Sequence, residues 1–304
     1  MIAIIMAVYN GEAYLREQID SLLDNSRRDV TIHIFDDGSA DRSADIIAEY
    51  QECHPEKIFY YRNTKNRGVI RNFLEGCQDI DADYYMFCDQ DDVWLPEKIP
   101  HTLAKMQAAE SSFPEKPLVV FGDARVVDED LQEIHPSFQR QSGYRTDLLD
   151  LPHILMENKL IGCTILFNRS LKNLLSDIPD SLRMHDWWIA LIASALGRII
   201  YLDEPLLLYR QHAGNVVGGS TKASYIKNRL ANLSAQRKVL YDTCAQAQSF
   251  LDCYQSLLTK KQQHLIHTFA TIPQANWFAR RYRVLRYHFL KSGLARNLGI
   301  LLVI

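Results

Sequence analysis

Tyr84-Tyr85-Met86-Phe87-Cys88-Asp89-Gln90-Asp91-Asp92-Val93-Trp94-Leu95-Pro96 is the stretch on which the fold turns. An apolar, strand-forming run stops at three carboxylates within four positions. A Trp-Leu-Pro turn then leads into a helical segment. Open α/β sheets bind ligands beyond the carboxyl ends of their strands, so this loop stands where a ligand belongs. Acids this close repel by roughly 1 kcal/mol per pair at 4 Å even in water. A hard, oxygen-seeking cation, Mg2+ or Mn2+, would relieve that repulsion. An acidic, solvated turn is the plainer alternative.

Three further strand-and-helix pairs precede this stretch. Ile2 to Val8 is a continuous apolar run, fit for a strand buried on both faces. Thr31 to Phe35 and Ile58 to Tyr61 are shorter strands, with helical patterns over 12–26, 43–52 and 69–77 between and after them. The alternation predicts a mostly parallel sheet with helices on both faces. The loops Val8–Gly11, Asp36–Ser39, Asn63–Gly68 and Asp89–Asp92 then share one rim, and all are rich in Asp, Asn or Gly.

Downstream, the patterns predict a helix over 97–109, strands at Leu118–Gly122, Leu160–Asn168 and Ile199–Leu202, a short helix over 170–176, and an apolar helix from Met184 through Leu196. Residues 123–158 read as mixed, with a flexible loop around Gln139 to Tyr144. Beyond Gly218-Gly219-Ser220 the chain turns Ala/Leu/Gln/Lys-rich and helical over 222–268, then aromatic and Arg-rich over 275–304. We therefore expect a catalytic domain over 1–220 and a basic helical extension over 221–304.

The chain has 304 residues, 47% of them hydrophobic and 23% charged, which fits a soluble globular protein with one large domain and an appendage. Its six cysteines form no C-x-x-C pair, which points away from zinc and disulfides and toward a reducing compartment. The opening MIAIIMAVYN lacks a basic leader and is expected to be a buried strand, not a signal peptide. Charge is split: residues 222–304 hold 13 Lys and Arg against 2 Asp and Glu, leaving 21 against 35 in residues 1–221. An acidic body with a basic tail suggests an anionic partner for the tail.

Neither phosphate-cradling glycine motif follows the first strand, and no G-x-S-x-G elbow occurs. What remains is a set of strand-end carboxylates, one candidate cation site, and later clusters with Asp and His. That set suits a metal-bridged diphosphate leaving group.

AVYNGEAYLREQIDSLL (7–23), FDDGSADRS (35–43), NRG (66–68), FCDQDDVWLPEKI (87–99), HDWW (185–188) and YRQHAGN (209–215) stand in this order. With these pieces the chain resembles the family 2 glycosyltransferases, inverting enzymes of the GT-A fold. Their fuller forms look like the subset that builds bacterial surface polysaccharides such as O-antigen and capsule, often rhamnosyltransferases.

The resemblance implies roles. Val8 and Tyr9 would line a nucleobase pocket, and Asp36 would accept a hydrogen bond from a pyrimidine N–H. Asn66 and Arg67 would approach base and ribose. Asp91 would meet Mn2+ or Mg2+ directly, with Asp89 toward the ribose or a metal-bound water. Asp92 would cap a helix or hold the loop. Asp186 would be the general base that takes the acceptor hydroxyl's proton. Trp187 and Trp188 could stack on an acceptor sugar. His212 would reach the metal or diphosphate, and Arg210 the phosphate. His185 stands where relatives more often carry Glu.

The implied reaction moves a sugar of the rhamnose, glucose or galactose class from a UDP- or dTDP-sugar to a saccharide acceptor carried on a lipid. A sugar nucleotidyltransferase and a non-catalytic nucleotide-sugar-binding protein are the alternatives. Arg interleaved with aromatics over Phe278–Leu290 implies peripheral contact with the inner face of the cell membrane from the cytoplasm. The acidic body argues against nucleic acid.

Overall fold

The computed structural model describes residues 1–176, 178–212 and 233–304. The expected division at 220/221 and the last three residues of YRQHAGN lie outside the described residues.

The first half alternates as the sequence predicts: β1 (Ile2–Val8), α1 (Leu15–Leu23), β2 (Val30–Asp36), α2 (Ser43–Cys53), β3 (Ile58–Arg62), α3 (Val69–Gly76) and β4 (Tyr84–Cys88). β3, β2, β1 and β4 lie side by side and parallel. Parallel neighbours need a crossover of a dozen or more residues, and each helix supplies one.

The pattern changes after β4. β5 (Val93–Trp94) follows within a few residues, too soon for a crossover, and pairs antiparallel to a distant strand instead. After it come α4 (Lys98–Ser112), β6 (Leu118–Val127), β7 (Glu133–His135), α5 (Phe138–Ser142) and α6 (Leu151–Met156). A 3-10 turn at Gly162–Thr164 leads to β8 (Ile165–Asn168), α7 (Arg169–Lys172), α8 (His185–Leu196) and β9 (Arg198–Arg210). The single sheet runs β3-β2-β1-β4-β8-β6-β9-β5, with β7 on β6. β8 is antiparallel to both β4 and β6, so the sheet is mixed.

Three local expectations need correction. Gln139–Tyr144 is not an irregular loop: most of it is α5, capped by the Ser137 hydroxyl and closed by Gly143 at φ 65°. The strand expected from Leu160 begins only at Ile165. The strand expected at 199–202 continues to Arg210 and carries the chain back to the acidic loop.

Side-chain alternation along β1 divides the interior. Ala3 and Ile5 face one core, with Tyr85 and Phe87 of β4, α3 and α8. Ile2, Ile4, Met6 and Val8 face the other, with Met86, Cys88, α1 and α4. This period of two is what a strand buried on both faces requires.

The C-terminal helices are α9 (Leu233–Tyr254), α10 (Lys260–Ala270), α11 (Trp277–Arg286) and α12 (Leu294–Val303). The helical stretch expected up to 268 breaks before α10, which starts on a reciprocal cap between Thr259 and Gln262. These helices share the first core: the Trp188 ring packs against Phe250 at 5.4 Å and Tyr254 at 5.8 Å. Tyr254 donates its hydroxyl to the Leu174 carbonyl at 2.7 Å. Among the described residues, no helix is long and apolar enough to cross a membrane.

Candidate active site

The strand-end loops are knitted to one another. Asn10 donates its backbone N–H to the Ser39 hydroxyl and accepts from the Ala40 N–H, each at 2.9 Å. Gln90 accepts from the Tyr9 N–H at 2.7 Å and donates to the Tyr9 carbonyl at 3.1 Å. This reciprocal clasp fixes the end of β1 to the acidic loop. A Cβ on Gly11 would meet Gln90 Oε1 at 2.5 Å, so the clasp needs glycine there.

Asp36 and Asp37 divide the work of the second loop. Asp36 is buried, accepting from the Ser39 N–H at 2.8 Å and the Tyr60 hydroxyl at 3.0 Å. Asp37 accepts from the N–H groups of Arg67 and Gly68, each at 2.8 Å, which holds the Asn66–Gly68 loop over the rim.

In the acidic loop, His212 Nε2 lies 2.8 Å from Asp91 Oδ2. Arg210, two residues earlier, is buried beneath. Its backbone N–H donates to Asp92 and its Nε donates to the Asp91 carbonyl at 2.9 Å. Its other nitrogens reach the Glu129 carbonyl and the Glu17 carboxylate. Burial, and then the charges of Asp91 and Asp186, push the Asp89 carboxyl up. A divalent cation would relieve that repulsion, and oxygen ligands from Asp89 and Asp91, with the His212 imidazole beside them, suit a hard ion. Asp89, Asp92 and Cys163 also offer atoms within 4.8 Å of one another. That trio is the weaker candidate, because burial holds the Cys163 thiol protonated.

Asp186 opens α8. Burial lifts its carboxyl to about 6, against hydrogen bonds from the Asn158 side chain and the N–H groups of Trp187, Asp186 and Gly162. The Trp187 N–H donates to Asp186 Oδ1 at 2.7 Å. His185 beside it is buried against Phe73, with ring centroids 4.3 Å apart, and burial drops its pKa to about 3. It is therefore a neutral imidazole.

One cavity of about 810 Å3 joins these parts, within the roughly 300–1,000 Å3 usual for ligand sites. Of the residues singled out in the sequence, Val8, Tyr9, Asn66, Asp89, Asp91, Asp186 and Trp187 line it. Asp36 does not; its neighbour Asp37 does. The Arg67 guanidinium turns away to Glu75 at 2.5 Å. Arg210 is occupied in holding the acidic loop, so the expected phosphate contact is corrected to a bracing role. Trp188 is likewise corrected: it is wholly buried against α9 and presents no face to a sugar. Asp37, Gln90 and Lys98 were missed. Lys98 is buried with its Nζ 3.7 Å from the Trp94 ring centroid, and Asp92 is among the charges favouring its protonated form. The Asp-Asp pair and the Gln between two acids were the available signals for the first two.

The mixed sheet flanked by helices is the GT-A fold, which solved glycosyltransferase structures share. S. aureus TarS 1–349, solved with UDP-GlcNAc, matches with a TM-score of 0.57 at 16% identity, over 95% of this chain and 86% of that one. The mannosyltransferase PcManGT from Pyrobaculum calidifontis, solved with GDP-Man and Mn2+, matches at 0.56 and 15%, over 99% and 78%.

The chain belongs to glycosyl transferase family 2, whose sequence model matches residues 3–172. The dTDP-rhamnosyl transferase RfbG of Shigella flexneri is 29% identical over 251 residues, covering 77% of this chain and 81% of RfbG. An uncharacterized glycosyltransferase of Rickettsia typhi, RT0329, is 25% identical over 68% of this chain and 63% of its own length.

Proposed function

We propose that the protein transfers a sugar, with inversion, from a UDP- or dTDP-sugar to a saccharide carried on a lipid, in the assembly of bacterial surface polysaccharide. The placement of Asp186 on the wall of the cavity that also holds Asp89 and Asp91 carries this reading. A carboxylate base and a cation-holding acid pair in one cavity are the groups that a displacement at an anomeric carbon requires. The likeness to RfbG favours dTDP and a rhamnose-class donor.

Val8, Tyr9 and the Asn66–Gly68 loop, held by Asp37, receive base and ribose. Asp91, Asp89 and His212 would hold Mn2+ or Mg2+. When bound, the ion neutralises the departing nucleotide diphosphate. Arg210 braces the loop that carries those ligands. Asp186, with a carboxyl near 6, is ionised at neutral pH and takes the acceptor hydroxyl's proton as that oxygen attacks. Trp187 offers its ring to the acceptor, with its Nε1 anchored on the Ile154 carbonyl at 2.7 Å.

The motif-bearing part of the chain is the catalytic unit, and the basic helices α9 to α12 extend it. The extension meets the inner face of the membrane from the cytoplasm. Phe278, Tyr282 and Leu285 on α11 and Leu294, Leu298 and Leu302 on α12 form two exposed apolar stripes at helical spacing. Phe278 is 78% exposed, and Arg281, Arg283 and Arg286 lie on the same helix as its stripe. Aromatic and Leu side chains entering the interface while Arg meets anionic headgroups is how such helices bind bilayers.

Calorimetry of dTDP and UDP with and without Mn2+, followed by donor hydrolysis across a panel of nucleotide sugars, tests the reading. Nucleotide binding of equal strength without the ion would remove the metal assignment.

A further inference from the structure

The cavity does not end at the acceptor side of Asp186. It continues between α9 and α12, where Leu233, Val239, Leu240, Ile300, Leu302 and Val303 line it, with Gln236 and Thr243 as the polar residues of the α9 wall. Such a mostly apolar limb suits a hydrocarbon chain better than a sugar, whose hydroxyls would lose hydration for few partners. Leu302 belongs both to this wall and to the outward stripe of α12, where it is 63% exposed. The limb therefore opens beside the apolar stripe of α12.

A cation stands where the limb meets the polar end. Arg183 lies three residues before Asp186 and 5.6 Å from the Trp187 ring centroid, on the cavity wall. Its Nη1 donates to the Val239 carbonyl at 2.6 Å and the Thr243 hydroxyl at 2.8 Å, both neutral. Among the described residues no carboxylate forms a salt bridge with it. Asp242 is the one charge that opposes the effect of its burial. Arg296 on the same wall is already paired, with Glu157 at 3.0 Å.

We propose that the limb between α9 and α12 holds the hydrocarbon chain of the acceptor lipid, with the phosphate that joins chain to saccharide seated against Arg183. This rests on the reading of the acceptor as lipid-linked. The order along the cavity matches the order along such a molecule: apolar chain at the mouth, phosphate at Arg183, saccharide at Trp187 and Asp186. Chain burial and a charge-assisted bond act together only on a ligand that has both.

Gly299 gives a clean way to close the limb. It lies on the cavity wall within α12, and a Cβ built there meets no atom within 4 Å. The first carbon of a larger side chain therefore meets no obstacle, and replacing a mid-helix glycine favours the helix.

The test uses the full chain and three probes below their aggregation limits: farnesyl phosphate, farnesol and inorganic phosphate, each titrated by calorimetry. Farnesyl phosphate is expected to bind at least about tenfold more tightly than either of the others. Arg183→Gln should cost about tenfold for farnesyl phosphate and little for farnesol. Gly299→Leu and Gly299→Trp should weaken both lipids in order of side-chain size, with thermal melting confirming that the variants fold. Farnesyl phosphate binding no tighter than inorganic phosphate would overturn the proposal. So would wild-type affinity in a folded Gly299→Trp variant. Titration of dTDP and UDP with Mn2+ into the same wild-type protein separates the two readings, because its failure removes the donor site and leaves the lipid result intact.

Discussion

His212 Nε2 meets Asp91 Oδ2 at 2.8 Å, joining the end of the longest strand to the acidic loop. The Tyr14 ring, 4.8 Å away, backs the imidazole. The two side chains come from the fourth and the last of the six family motifs. Arg210, buried two residues before His212, fixes the backbone from which the imidazole reaches out.

Loss of that imidazole should therefore show in metal-dependent nucleotide binding. His212→Ala is expected to lower dTDP or UDP affinity in Mn2+ by about 10–100-fold, the usual scale for groups that support a metal site. Binding without Mn2+ should be unchanged. Calorimetry in the two conditions reads the difference directly.

Asp186→Asn keeps size and removes the base. Transfer should fall by about 10²–10⁴-fold while the donor KM changes little, because general-base catalysis contributes on that scale. The wild-type rate should climb with pH through about 6, where Asp186 loses its proton. The asparagine variant should lack that limb of the profile.

His185 makes a stability prediction. Its folded pKa is about 3, well below the ordinary value of 6.5, so the unfolded chain takes up a proton that the folded chain refuses. Stability from this group is complete above 6.5 and is lost as pH falls toward 3, with a slope approaching about 1.4 kcal/mol per pH unit. Asp186, raised to about 6, works in the opposite direction, so the comparison must be made between variants. The stability of His185→Phe relative to wild type, measured by urea unfolding, should rise steadily from pH 7 to pH 5.

The same ring constrains the 3-10 turn. A Cβ on Gly162 would stand 2.6 Å from His185 Nε2. Gly162→Ala should cost about 1–3 kcal/mol, as overpacking of a buried site does. Combining it with His185→Ser should cost less than the sum of the two single changes. Strict additivity in a double-mutant cycle would refute the contact.

Trp188→Ala should destabilise by about 3–5 kcal/mol, the range for removing a buried aromatic. Trp187→Ala, at the cavity wall, should instead raise the acceptor KM. Thermal melts and acceptor titrations distinguish the pair.

The sequence reported periodicity faithfully and phase poorly. β1 and β4 were legible because apolar runs bounded by polar turns admit one reading, and the loops at their ends had to share a rim. Which of two adjacent residues faces the cavity was not legible. Asp36 and Asp37 differ in role because the strand end turns one inward to Tyr60 and the other toward Arg67 and Gly68. Trp187 and Trp188 differ because consecutive helical residues point about 100° apart. That phase is set by α9, which lies far along the chain. The length of β9 was hidden for a related reason: Pro205 and the charged residues before it read as a strand end, yet the chain runs on past them to pair with β6 and β5.

Trp188 therefore works as an axle pin. It sits on the same turn of α8 as Asp186, the proposed proton acceptor, yet Phe250 and Tyr254 of α9 grip its ring. The angular setting of Asp186 is held by residues more than sixty positions further along the chain, and both lie outside the segment matched by the family model. Trimming the chain to its motif-bearing part would leave every signature residue in place and remove the bearing that aims the base.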